Sequence, residues 1–150
     1  MWIGKVIFHV DINSFNSSCE EIRNPSLKGK PHAVIMTPQV NTNKITKGAV
    51  ATCSYEAKKL GIKSAMPLYK ALELYPNLIL NAVDKKYYEK ISNQVMKILE
   101  GYADTLEQAS IDEVYLDCTN KISSSNYNIR VVKEYAKEIK KTIKENAVDC

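Results

Sequence analysis

Apolar residues change their period along this chain, and the period selects the elements. Residues 2–10 form an apolar run that reads as a strand closing on Asp11. Asn13 or Ser14 can cap a helix, and Phe15, Ser18, Cys19 and Ile22 then recur at helical spacing through about Arg23. Asn24-Pro25-Ser26 ends it, because the residue before proline is pushed out of the helical region. After the basic turn LKGKP comes the strand HAVIM at 32–36, then a polar stretch, 37–47, that reads as an exposed loop. GAVATC at 48–53 is a short strand, and Ser54 caps a helix over 55–60 that Gly61 stops. Pro67 fits the first turn of another helix, with Leu68, Ala71, Leu72 and Tyr75 as its apolar stripe and Pro76 as its stop.

Residues 78–83 are strand-like, and Asp84 caps a long helix in which Tyr88, Ile91, Val95, Ile98, Leu99 and Tyr102 share a face. The segment ASIDEVYLD at 109–117 reads as two short strands meeting at a tight turn that holds the acids. Residues 123–126 read as a loop. A final helix turns Ile129, Val132, Ala136, Ile139 and Ile143 inward, with lysines outward. AVDC at 147–150 looks like the approach to another strand, which makes the sequence read as a fragment. The order is a mixed α+β pattern without internal repeats.

Composition narrows the class. The 150 residues suit one medium domain or two small lobes, and 45% apolar with 25% charged is ordinary for a globular protein. No apolar run approaches the roughly 18 residues of a membrane span, and the opening strand pattern lacks a cleavage site, so a soluble, cytoplasmic protein without membrane contact is expected. Cys19, Cys53, Cys118 and Cys150 are widely spaced with no CxxC pair, which argues against zinc and for reduced thiols. The net charge of +4 permits a phosphate-rich partner, and residues 40–63 are lysine-rich, with Glu56 the only acid. A solvated basic face is the plainer account of those lysines. His9 and His32 lie inside strand patterns, where packing roles are expected, and Tyr87, Tyr88, Tyr102 and Tyr135 lie on helix faces as packing groups.

The candidate chemistry is acidic. Asp112 and Glu113 are adjacent, and neighbouring carboxylates repel unless a cation joins them. Asp11, at the end of the first strand, supplies a third. Carboxylates at the ends of core strands form an all-oxygen set suited to Mg²⁺.

The motifs VDINSFNSSCE (10–20), NPSLKGKP (24–31), GAVATCSYEAKKLGIKSAMP (48–67) and ASIDEVYLD (109–117) together resemble the N-terminal part of the Y-family (translesion) DNA polymerases, the DNA polymerase IV-like group. The resemblance implies a ferredoxin-like polymerase palm over residues 1–22 and 83–150, its final strand missing, with a small fingers lobe inserted at 23–82. It implies that Asp11, Asp112, Glu113 and the Ile12 carbonyl hold two Mg²⁺ ions, with Mn²⁺ a substitute, and that Asp112 and Glu113 are catalytic. It implies that Thr52, Tyr55 and Lys58 hold the incoming triphosphate. Lys58 stands where the family more often has Arg, giving a point charge without a bidentate fork. Asn16 stands at the nucleotide-binding sugar-gate position, where the family has Tyr or Phe to exclude ribonucleotides, so weakened sugar discrimination is expected. The implied activity is error-prone, template-directed DNA synthesis across lesions. Its partners would be primer–template DNA and a dNTP, with any sliding-clamp contact in regions outside this chain. The fragment alone is expected to be inactive and to expose a bare sheet edge prone to self-pairing. Two other readings share the carboxylates. A nucleotide cyclase-like palm enzyme is disfavoured by the motifs around Tyr55. A non-catalytic DNA-binding paralogue draws on Asn16 and Lys58 but leaves three mutually repelling acids without a purpose.

Overall fold

Alternating burial along short strands builds the frame that carries the acids. The computed structural model describes residues 4–36, 48–123 and 128–146. Its contacts divide the chain into two units, Met1–Asn13 with Lys86–Cys150, and Ser14–Lys85. The expected boundaries lay at 22/23 and 82/83. Helix α1 (Phe15–Arg23) falls instead with the inserted segment, because it packs on the strands of that segment.

In the first unit, β1 (Ile7–Asp11), β6 (Glu113–Asp117) and β5 (Thr105–Gln108) form an antiparallel sheet in the order β1-β6-β5. Phe8, Val10, Val114 and Leu116 share the more buried face, with Val114 and Leu116 fully enclosed. Each such aliphatic burial contributes about 1.5–3 kcal/mol. The opposite face carries Ile7, His9, Asp11, Glu113, Tyr115 and Asp117, all exposed or half-buried, and there the His9 ring stacks on Tyr115 at 4.6 Å. Helix α4 (Lys85–Glu100) buries Tyr88, Ile91, Ser92, Val95, Met96 and Leu99. Helix α6 (Ile129–Glu145) buries Ile139 and Ile143, and its Tyr135 stacks on Phe8 and meets Tyr102 edge-on. The Tyr135 hydroxyl donates to the Tyr102 carbonyl, and burial pushes its pKa up to about 12.

In the second unit, β3 (Ala49–Cys53), β2 (His32–Met36) and β4 (Ile79–Ala82) form a mixed sheet, β2 antiparallel to β3 and parallel to β4. Ala33, Val50, Cys53, Ala57, Ile62, Ala71 and Leu78 form its core, bringing in α2 (Tyr55–Lys59) and α3 (Leu68–Leu74). Gly61 after α2 has φ +92°, the left-handed geometry expected of a residue that ends a helix. His32 is fully buried, its Nε2 2.9 Å from Glu21 Oε1.

Several expectations are corrected. Helix α1 buries Phe15, Ser17, Cys19 and Glu20, not Ser18 and Ile22, which are half-buried. Its face is rotated because Arg23 binds Glu20 at 2.6 Å, letting an acid turn inward. Ile129 at the start of α6 is exposed. The strands of the acidic hairpin are β5 and β6, joined through 109–112, so Asp112 ends the connection and Glu113 opens β6. Pairing stops at Gln108 because the Ala109 and Ser110 N–H groups both turn onto the Glu113 carbonyl, at 3.0 and 3.1 Å. A short helix, α5 (Thr119–Ser123), was not foreseen, and Ser123 belongs to it and not to a loop. Cys19, Cys53 and Cys118 are buried thiols. The expected start of the first strand at residues 2–3, the loop at 37–47 with its lysines, the loop residues 124–126, and AVDC with Cys150 all lie outside the described residues.

Candidate active site

The acids are placed by backbone pairing. In the β1–β6 register Asp11 stands opposite Glu113, with both side chains on the open face of the sheet. The ladder continues one step past β1, where the Ile12 N–H donates to the Asp112 carbonyl at 2.9 Å. Asp11, Ile12, Asp112 and Glu113 therefore meet at one end of one strand pair. Ile12 is buried, which anchors the backbone just beyond Asp11. The Asp112 carboxylate accepts from Ser110 Oγ at 2.9 Å. Asp11 also lines a cavity of about 320 Å³ with Phe8, Val10, Asn13, Ile139 and Lys140.

As donors the three carboxylates and the Ile12 carbonyl are hard oxygens of the kind Mg²⁺ takes. The backbone brings them to one corner, yet among the described residues no three acids, histidines or cysteines are gathered tightly enough to grip an ion. Like charges at adjacent positions separate, and the exposed Asp11 side chain has rotamers to spare. The residue types and backbone placement fit a divalent cation.

The other candidate residues lie in the second unit. Thr52 is half-buried on β3, opposite Val34. Ser54 caps α2, its Oγ accepting from the Ala57 N–H at 3.3 Å and the His32 N–H at 3.0 Å and donating to the Lys30 carbonyl at 3.2 Å. That cap aims Tyr55 and Lys58 to solvent from the same helix face. Lys58 Nζ sits 5.5 Å from the centre of the Tyr55 ring, a cation–π distance. The same Nζ donates to Ser14 Oγ at 2.5 Å. Ser14 holds a left-handed conformation, φ 47° and ψ 44°, at the start of α1, which costs a non-glycine residue about 1–2 kcal/mol. Asn16, half-buried, is the second residue of that helix.

Sequence reasoning missed four polar residues here. Ser14 holds Lys58, Ser110 bonds the Asp112 carboxylate, and Ser92 and Gln108 bond the carbonyls of Ile111 and Ser110 just before it. The one available signal was a serine, Ser92, on the buried stripe of α4, where an aliphatic residue would pack better.

The family model described as impB/mucB/samB matches residues 10–150. The chain is 42% identical over 134 residues to a DNA polymerase IV of Sulfurisphaera tokodaii, covering 89% of this chain and 37% of that protein. It is 42% identical over 140 residues to a DNA polymerase IV of Saccharolobus solfataricus, covering 93% and 38%. Among solved structures, a Dbh-based Y-family DNA polymerase chimera aligns with a TM-score of 0.85 at 41% identity, over 95% of this chain and 40% of that one. An insertion ternary complex of Dbh DNA polymerase aligns with a TM-score of 0.84 at 40% identity, over the same shares. The chain thus spans less than half the length of these relatives. The α+β architecture and the order of motifs agree with theirs, and the chain belongs to the impB/mucB/samB family, that of the Y-family DNA polymerases.

Proposed function

We propose that this chain is the palm and fingers part of a template-directed, lesion-bypassing DNA polymerase, which joins a dNMP to a primer 3′-hydroxyl. The observation that carries this reading is the register that sets Asp11 against Glu113 and ties Ile12 to Asp112. The palm corresponds to residues 1–22 and 83–150 and the fingers to 23–82, with α1 packed on the fingers strands. Primer–template DNA and a dNTP are the partners, and the cytoplasm is the place of action. Among the described residues no helix is long and apolar enough to cross a membrane.

In this reading Asp11, Asp112, Glu113 and the Ile12 carbonyl hold two Mg²⁺ ions, or Mn²⁺. Such ions, when bound, neutralise charge on the attacking and leaving oxygens of an in-line displacement. The chain's own part is positioning. Thr52 and Tyr55 offer hydroxyl donors to the triphosphate, and Lys58 a mobile positive charge. Asn16, smaller than an aromatic ring and able to bond a hydroxyl, stands at the sugar and weakens ribonucleotide exclusion.

Calorimetric titration of a dNTP with Mg²⁺ tests the site. Binding should require the metal and fall at least about tenfold in Asp112→Ala, the size of a lost charge-assisted contact. Equal nucleotide binding with and without Asp112 would overturn the reading. Parallel titration with the matching rNTP tests Asn16: near-equal affinities are expected, and a strong dNTP preference would remove that role.

A further inference from the structure

Ser92 is a hydroxyl on a helix that otherwise buries Tyr88, Ile91, Val95, Met96 and Leu99. It occupies the buried stripe of α4, 2% exposed, between Ile91 and Val95. A helical serine in an apolar setting commonly bonds back to its own helix. Ser92 reaches out instead, donating to the Ile111 carbonyl at 2.5 Å, one residue before Asp112. Its oxygen also accepts from Gln108 Nε2 at 3.3 Å, and that same nitrogen donates to the Ser110 carbonyl at 2.9 Å. Four successive carbonyls, 110 to 113, are thereby held: Ser110 by Gln108, Ile111 by Ser92, Asp112 by the Ile12 N–H, and Glu113 by the Ala109 and Ser110 N–H groups. Ser110 Oγ completes the set on the Asp112 carboxylate itself. Ser110 is exposed and Ile111 half-buried, so water could satisfy carbonyls there at little cost. The buried hydroxyl is compensated by these two bonds, which tie α4 to the connection that ends in Asp112.

We propose that Ser92 and Gln108 are positioning residues for Asp112: they clamp the 109–112 connection so that the carboxylate is presented to a divalent cation. The inference rests on the metal reading above. Outer hydrogen-bond partners of ligating carboxylates typically affect metal affinity by about 10–100-fold.

The test uses two readouts on the 150-residue chain. Mn²⁺ binding is followed by electron paramagnetic resonance in the unchanged chain, Ser92→Ala, Gln108→Leu and Asp112→Ala. Amide exchange at Ile12, whose N–H reports the Asp112 carbonyl, is followed in the same proteins without metal. Gln108 is exposed, so Gln108→Leu keeps the test alive if Ser92→Ala fails to fold. The expected result is faster Ile12 exchange and about tenfold weaker Mn²⁺ binding in the clamp variants, with Ser92→Thr recovering both. Unchanged Ile12 protection overturns the clamp whatever the metal does. Unchanged Mn²⁺ affinity in the clamp variants, with binding lost in Asp112→Ala, overturns the positioning role alone. Asp112→Ala binding Mn²⁺ as tightly as the unchanged chain removes the metal reading and the positioning role with it.

Discussion

The two sets of candidate residues, one in each unit, are built differently. The carboxylate corner is made of backbone: Asp112 and Glu113 are located by main-chain bonds to Ile12, Ala109 and Ser110 and by the Ser92 hydroxyl beneath them. The proposed nucleotide row is made of exposed side chains: Tyr55 and Lys58 stand off a short helix, where Lys58 meets the Ser14 hydroxyl and the Tyr55 ring. Metal coordination needs closely placed donors, and backbone bonds fix the positions from which the carboxylates reach. A triphosphate is large, charged and tolerant, and a lysine on a flexible stem would serve it as a point charge. The contrast predicts that damage to the first set acts through placement, and damage to the second through lost contacts.

The largest effect should come from below β6. Leu116 is fully buried on the strand that carries Glu113. Leu116→Ala should lower stability by about 2–5 kcal/mol in urea denaturation. Mn²⁺ affinity should fall in the protein that remains folded, because the register shifts with the strand. Loss of stability without loss of metal affinity would show that the corner holds its place independently of the strand.

Next is Ser54, which caps α2 and joins it to β2. Ser54→Ala leaves the His32 and Ala57 N–H groups and the Lys30 carbonyl without that partner, and should cost about 1–3 kcal/mol. The helix holding Tyr55 and Lys58 then loosens, and Mg²⁺–dNTP affinity should fall while Mn²⁺ affinity alone stays constant. Lys58→Ala tests the row by contact alone: nucleotide affinity should drop by about tenfold, near 1.5 kcal/mol, with the thermal midpoint unmoved. Lys58→Arg should bind at least as tightly as the unchanged chain, since the guanidinium adds a fork. A large stability change in Lys58→Ala would mean that its bond to Ser14 is structural, which would blur the comparison.

What was legible in the sequence follows the same division. Strand β2 runs over His32–Met36 as its apolar run implies, and Ser54 caps its helix as its position implies. Local rules suffice there because the periodicity and the cap lie within a few residues. The acids at the ends of β1 and β6 were legible as residue types and as motifs. Their opposition in register needs the strands to pair across about a hundred residues, which no local pattern encodes. The rotated face of α1 was hidden because burying Glu20 depends on Arg23, a pair that simple apolar counting discards. The clamp of Ser92 was hidden because its partners come from the β5–β6 connection. Helix α5 is five residues long, too short to show a period.

The smallest expected effect tests whether backbone anchoring extends to the far end of the same strand pair. Asp117 Oδ1 accepts from the Thr119 hydroxyl at 2.6 Å and the Thr119 N–H at 3.1 Å, and Thr119 Oγ1 in turn accepts from the Val6 N–H at 2.9 Å. The bonds from Thr119 hold the Asp117 carboxyl below its usual value of 3.8, with Lys5 assisting. A carboxyl whose pKa is lower folded than unfolded binds fewer protons in the native state. Its stabilisation is therefore complete above the unfolded value and is lost as pH falls through the folded one. Urea midpoints measured down a pH series should hold steady for this group above about pH 4 and then decline more steeply in the unchanged chain than in Asp117→Asn. The carboxyl is half-buried and still reached by solvent, so the difference should be slight and should shrink with added salt. Parallel curves for the two proteins would mean that Val6 and Thr119 hold that end without the charge. Backbone pairing alone would then fix both ends of the strand pair that carries Glu113.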